Sequence, residues 1–266
     1  MPHFTDQTGH TTDIVTHPRR IISLVPSQTE LLFHLGLEEE VIGITKFCER
    51  PDHWYKNKIR IGGTKNIRLH LIHQLKPDLI IANKEENVKE QVEELMKYYP
   101  VWISDVNTLA DGLNMIGSVG TITGKSTRAA RLIDTIKKNF EKLRNTCLNQ
   151  NREMEVAYLI WKEPYMVAGG NTFIDNMLWH CSFRNVFEEI ARYPSVTLTD
   201  IKEKRCNTLL LSSEPYPFCL KHINELQHEL PDTRIILVDG QMFSWYGSRL
   251  LHAPGYFESV IQQILS

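Results

Sequence analysis

The sequence contains no run of eighteen consecutive apolar residues, so no transmembrane helix is expected. It also lacks a long basic run, and its formal net charge is −2. Neither a nucleic-acid footprint nor a polybasic membrane anchor fits that balance. Cysteine is scarce: Cys48, Cys147, Cys181, Cys206 and Cys219 are odd in number, scattered, and without a C-x-x-C pair. This argues against a disulfide framework or a zinc knuckle and favours reduced thiols in a cytoplasm-like compartment. The opening residues carry no apolar leader core, so the chain as written reads as cytoplasmic; a periplasmic or membrane-associated place follows if a leader has been removed.

Catalytic signatures are missing as well. Neither G-x-S-x-G nor H-E-x-x-H occurs, so binding and not catalysis is expected. Thr123-Gly124-Lys125-Ser126-Thr127 has the tail of a phosphate-binding loop, but Val119 stands where its first glycine belongs. His70 and His73 have metal-pair spacing without a third ligand nearby and read as an exposed polar face; Cys48 with His53 reads as a half-buried loop cysteine and not a thiolate site.

What is present is an alternation of short apolar runs with helical periodicity. At 266 residues the chain suits two domains of roughly 120 residues each. Residues 20–25, 41–45, 78–82 and 101–104 read as buried strands, with helices starting near Ser27 and over 69–75 and 88–98. Ser27 and Glu30 have the spacing of a capping box. The second half repeats the plan, with strands at 155–160, 208–211 and 234–238 and helices over 172–179, 199–204 and 218–230. Leu75 to Ala82 and Lys204 to Leu211 correspond, each a short helix leading into a buried strand. Between the halves, Ala129, Leu132, Ile133, Ile136, Phe140, Leu143 and Cys147 follow the helical period. A helix over 126–147 would be a stiff rod of about 33 Å. The fold class expected is α/β, two Rossmann-like lobes with mainly parallel sheets joined by one long helix. The lobes are placed at 1–123 and 150–266, with the connecting helix at 124–149.

In open parallel sheets, ligands bind beyond the carboxyl ends of the strands. Those ends supply Lys46, Phe47 and Cys48, then Lys65 and Asn66, then Lys84 and Glu85 in the first half. The second half supplies Trp161 and Tyr165, Glu214 and Tyr216, and the final loop with Phe243, Trp245, Tyr246 and Arg249. A lysine wall facing an aromatic wall suits a flat ligand with acidic groups.

Arg20-Ile-Ile-Ser-Leu-Val-Pro-Ser-Gln-Thr-Glu30, Leu-Lys-Pro-Asp-Leu-Ile-Ile-Ala (75–82) and the long central helix together resemble the helical-backbone metal receptors, the substrate-binding proteins of ABC importers for cobalamin and ferric siderophores. The resemblance runs from the Phe4–Gly9 hairpin strand to the final helix. It implies a monomer that holds a corrinoid, haem or ferric chelate between its lobes as a ligand, with no covalent cofactor, and an ABC permease as partner. The two permease-facing glutamates of the cobalamin members fall at His70 and Asp200 here, and their cobalamin-contacting acid and arginine fall at Gln241 and Trp245. Tyr193, beside Arg192, matches an aromatic cleft position. A cytosolic chelate-handling or sensor protein uncoupled from transport is the alternative.

Overall fold

The computed structural model describes residues 1–148 and 154–266, so the expected boundary between 149 and 150 lies outside the described residues. The chain divides into two compact units. The first comprises residues 1–106, 110–135 and 245–249, and the second 107–109, 136–244 and 250–266.

The first unit opens with an antiparallel hairpin, β1 (His3–Thr5) and β2 (Thr11–Asp13). Buried Asp6 closes its turn by accepting from the Thr8 and His10 amides at 2.9 and 3.0 Å. There follow β3 (Ile21–Ser23), α1 (Pro26–His34), β4 (Val41–Ile44), α2 (Asp52–Asn57), β5 (Ile59–Arg60), α3 (Leu69–Leu75), β6 (Leu79–Asn83), α4 (Lys89–Met96), β7 (Val101–Ser104), α5 (Leu109–Ile122) and α6 (Ser126–Leu148). The sheet order is β5-β4-β3-β6-β7, and every pair is parallel.

The Lys-Pro-Asp motif has a plain mechanical role. The Asp78 carboxylate accepts the backbone amides of Arg19 and Arg20, each at 2.8 Å, at the entrance to β3. Arg20 in turn donates to the Leu75 and Lys76 carbonyls at the end of α3, where Lys76 turns left-handed at φ 45°. One acid and one arginine thus fix a helix end and two strand starts.

The expected capping box does not form. Val25 is the N-cap of α1, with no side-chain cap, and Pro26 fills the first turn, where no amide hydrogen is required. Ser27 is buried inside the helix, and Glu30 serves another partner described below.

The phosphate-loop lookalike is a helix–helix turn. Gly124 sits at φ +70° between α5 and α6, and a Cβ there would lie 1.9 Å from the His17 ring, so both backbone and space demand glycine. In α6, Ala129, Leu132, Ile136, Phe140, Leu143 and Cys147 are buried and Ile133 half-buried, the stripe expected from the sequence. Residues of α6 up to 135 belong to the first unit and those from 136 to the second.

The second unit contains β8 (Met154–Trp161), β9 (Tyr165–Val167), α7 (Phe173–His180), β10 (Phe183–Asn185), β11 (Ser195–Val196), α8 (Leu198–Glu203), β12 (Thr208–Ser212), α9 (Leu220–Glu229), β13 (Arg234–Val238), α10 (Gly240–Ser244) and α11 (Ala253–Leu265). Its sheet runs β11-β9-β8-β12-β13, with β10 also parallel to β8. It is mixed: β9 is antiparallel to both β8 and β11. The three residues between β8 and β9 cannot span a crossover, so the chain must reverse. The internal correspondence holds, since β6 lies between β3 and β7 as β12 lies between β8 and β13. Both are five residues long and buried throughout, as strands covered on two faces must be. Among the described residues, no helix is long and apolar enough to cross a membrane.

Within the second unit His180, at the end of α7, packs edge-on against Phe140 of α6, ring centroids 5.0 Å apart. Burial, then the nearby Arg144 charge, lowers its pKa from 6.5 to about 4. Between those values the unfolded chain takes up a proton that the folded chain refuses, so this contribution to stability is complete above about pH 6.5 and is lost as the pH falls toward 4. Urea unfolding at pH 7 and pH 4.5 should show His180→Gln losing less stability on acidification than the parent chain, by on the order of 2 kcal/mol. Equal losses would contradict this assignment.

Candidate functional site

Beneath the carboxyl ends of the first unit's strands lies a buried polar layer. Asn83 ends β6 and donates to the Ser104 carbonyl and hydroxyl at 3.1 and 3.0 Å, while its own carbonyl accepts the amides of Glu85 and Glu86, each at 2.9 Å. Asn87 returns a bond to the Asn83 amide at 2.9 Å and donates to the Thr64 carbonyl at 3.1 Å. Gln28, on α1, joins the Ser104 hydroxyl. Buried amides in such numbers are tolerated because nearly all their polar atoms are bonded, the Gln28 side-chain oxygen excepted, and the network fixes the loops carrying Lys65 and Lys84.

On that platform Lys46 and Phe47 are exposed beyond β4, with the Lys46 ammonium 4.9 Å from the Phe47 ring centroid. Lys65 donates to the Glu85 carbonyl at 2.6 Å, and Lys84 pairs with Asp105. Asn66 is exposed. Cys48 does not join them. It is fully buried, bonded to the Thr29 and Thr45 hydroxyls at 3.0 and 3.1 Å, and burial raises its thiol pKa. It is not half-buried but wholly enclosed. His53 bonds Glu38 instead.

The final loop departs most from expectation. Trp245, Tyr246 and Arg249 belong to the first unit, not to a second-lobe aromatic wall. Arg249 is 8% exposed and donates two bonds to Glu30 of α1, at 2.6 and 3.1 Å, with its guanidinium 5.2 Å from the Trp245 ring centroid. Tyr246 is covered, and its phenol is pushed well above its ordinary pKa by burial and by the Glu86 charge, against the pull of the Ser27 and Ser104 side chains. Phe243, in the second unit, is wholly buried against Tyr158 and Phe257, with ring centroids at 5.1 and 4.5 Å. A side chain packed on all sides is core, so Phe243 offers no surface to a ligand.

In the second unit the strand ends carry an aromatic group that does reach solvent. Trp161, 40% exposed at the end of β8, meets the Tyr216 ring edge-on at 5.7 Å. Tyr216 continues to Phe218 at 4.7 Å and to His222 at 5.4 Å. Tyr165 opens β9 half-buried, and Lys162 between them is drawn to Glu225 at 2.7 Å. Glu214 accepts the Ser244 hydroxyl at 3.0 Å. Farther along, Arg192 lies 5.8 Å from the Tyr193 ring centroid and donates to the Asn107 carbonyl oxygen at 3.1 Å and to the Asn171 backbone at 3.0 Å, at the rim of a cavity of about 630 Å³.

That cavity was not legible in the sequence. Its walls come from separate segments with no motif, including Asn107, Asn171, Asp175, Asn185 and Glu188. The available signal was Gly169-Gly170, where a Cβ would meet the Ile190 and Glu188 carbonyl oxygens at 2.0 Å. Of the two positions expected to face a permease, His70 is exposed. The Asp200 carboxylate closes a capping box on its own helix, and bonds from the Thr197 amide and then its hydroxyl lower its pKa.

The sequence profile described as periplasmic binding protein matches residues 21–214. The vitamin B12-binding protein of Pectobacterium carotovorum is 25% identical over 240 residues, covering 89% of this chain and 86% of the relative. Among solved structures, a periplasmic solute-binding protein of Staphylococcus epidermidis, described as a possible iron-binding protein, superposes with a TM-score of 0.80 at 24% identity, covering 94% of this chain and 100% of that one. The periplasmic heme-binding protein RhuT of Roseiflexus superposes with a TM-score of 0.76 at 21% identity, covering 92% and 99%. At these identities the structures show a shared fold.

Glu30 and Arg249 are both largely buried, so removing one partner strands the other's charge. Glu30→Gln should lower unfolding free energy by on the order of 3 kcal/mol. The pair Glu30→Gln with Arg249→Met should recover much of it, as read from urea midpoints. A neutral single substitution would show that the ion pair contributes nothing.

Proposed function

The chain belongs to the periplasmic binding protein family, and on that footing we propose that it captures a metal chelate of the corrinoid, haem or ferric siderophore class as the substrate-binding component of an ABC importer. It is a binding protein and not an enzyme. The observation that carries the choice of ligand is the Trp161–Tyr216 pair, an aromatic surface left open at the carboxyl end of a buried sheet. Two rings in contact at a strand end, the indole exposed, offer an apolar surface that a flat ligand can cover. Relatives named for vitamin B12 and heme agree with a ligand of that shape.

In the first unit we assign ligand contact to Lys46 and Lys65, and in the second, taken by itself, to Trp161, Tyr165 and Tyr216. Lys84 is held by Asp105 and contributes less. Tyr193 is assigned to its edge. Affinity then comes mainly from apolar burial, at about 25 cal/mol per Å² removed from water, before ordering costs. The family places such proteins outside the cytoplasm, and we extend that location and a permease partner to this chain, with the exposed faces around His70 and Asp200 as its docking points.

Titration with haemin, cyanocobalamin, cobinamide and a ferric hydroxamate, followed by tryptophan fluorescence and absorption, tests the proposal. At least one should bind, and Trp161→Ala should weaken it tenfold or more, about 1.4 kcal/mol. Lys46→Glu should weaken an acidic chelate more than an uncharged one. No binding by any of the four would overturn the ligand class.

A further inference from the structure

The cavity of about 630 Å³ lies wholly within the second unit and has a character unlike the lysine and aromatic surfaces assigned above. Its volume is that of an ordinary small-molecule site. Its walls are rich in carboxamides and carboxylates, with one guanidinium and two aromatic rings. Two carboxylates, Asp175 and Glu188, stand against the single charge of Arg192, so an acidic chelate meets repulsion there.

The internal bonds of the wall define what it can still offer. Asn176 spends its carbonyl oxygen on the Leu109 amide at 2.8 Å, which fixes its orientation and leaves its two amide hydrogens as donors. Asp175 spends one oxygen on Asn185 at 2.8 Å, and among the described residues its second oxygen has no protein donor. Asn171, exposed at the rim with φ 57°, carries both a donor and an acceptor. The wall therefore offers both donors and acceptors as planar forks, which hydroxyls can match, since each hydroxyl both gives and accepts a bond. Trp179 follows Asp175 by one helical turn on α7, lines the same cavity and is 65% exposed. Its ring supplies an apolar face that a polar wall alone lacks, suited to the C–H face of a saturated ring.

We propose that this cavity is a second binding site, for a small neutral polyhydroxylated molecule of the saccharide or polyol class. Trp179 stacks on the ring, and Asp175, Asn176 and Asn171 bond its hydroxyls. A charged headgroup fits less well: an anion opposes the two carboxylates, and a cation faces Arg192, held in the rim by Asn107.

Saturation-transfer NMR and calorimetry on the full chain, with D-glucose, D-galactose, maltose and myo-inositol at millimolar concentration, test it, and choline serves as the cationic control. At least one neutral probe should show transfer. Trp179→Ala and Asn171→Ala, both at exposed positions that leave the core intact, should each weaken that binding tenfold or more. Haemin or corrinoid affinity should stay unchanged in both variants, which separates this site from the one assigned to the chelate. No transfer from any of the four neutral probes, binding of choline alone, or saccharide binding indifferent to both substitutions would overturn the proposal.

Discussion

A carboxylate and a guanidinium separated by 219 residues meet in the first unit, and the placing of the segment 245–249 depends on them. Glu30 leaves α1 toward the segment 245–249, and Arg249 answers with a two-pronged bond. Such a pair is dear to desolvate, and it holds only where geometry and neighbours are fixed. Here α1 is fixed by Pro26, by Gln28, which bonds the Ser104 hydroxyl of the polar layer under the strand ends, and by Thr29, which bonds the Ser23 hydroxyl. The ion pair and the polar layer are thus two sides of one helix. Together they explain why Pro-Ser-Gln-Thr-Glu is so polar a sequence for so buried a place.

How far this was legible in the sequence depended on the range of the forces involved. The apolar stripe of α6 was plain, because a helix that buries one face repeats every three to four residues and nothing distant alters that. Strands β6, β7 and β13 were equally plain as short apolar runs between turn residues. The start of α1 was placed well but explained wrongly: Glu30 matched a local pattern while its partner lay at the other end of the chain. The same cause put Trp245 and Arg249 on the wrong half, since no local pattern tells a C-terminal loop to return to an N-terminal unit.

The candidate site residues divide along the same line. Lys46, Lys65, Trp161 and Tyr216 follow from the rule about strand ends, which is topological and needs only the strands. Cys48 and Phe243 follow the same rule into positions where packing consumes the side chain, and no spacing argument separates a loop residue that faces outward from one that folds under. The cavity of the second unit is the extreme case. Its wall is assembled by α7, β10 and the loop before Arg192, joined by Asn107 and Thr108 from far upstream, and no local pattern ties these segments together.

Charge at the first unit's strand ends is already partly spent, and this bears on what a ligand can gain there. Lys84 is held by Asp105 and Lys65 by the Glu85 carbonyl, so an acidic group arriving at either must replace an existing bond and not simply add one. Exposed pairs of this kind are worth little, typically under about 1 kcal/mol, so exchanging them yields little net affinity. Lys46 differs, because its nearest described partner is the ring of Phe47, a weak contact that a carboxylate easily outbids. Electrostatics at this surface therefore selects and orients, while the magnitude of any binding there must come from covering the Phe47 ring.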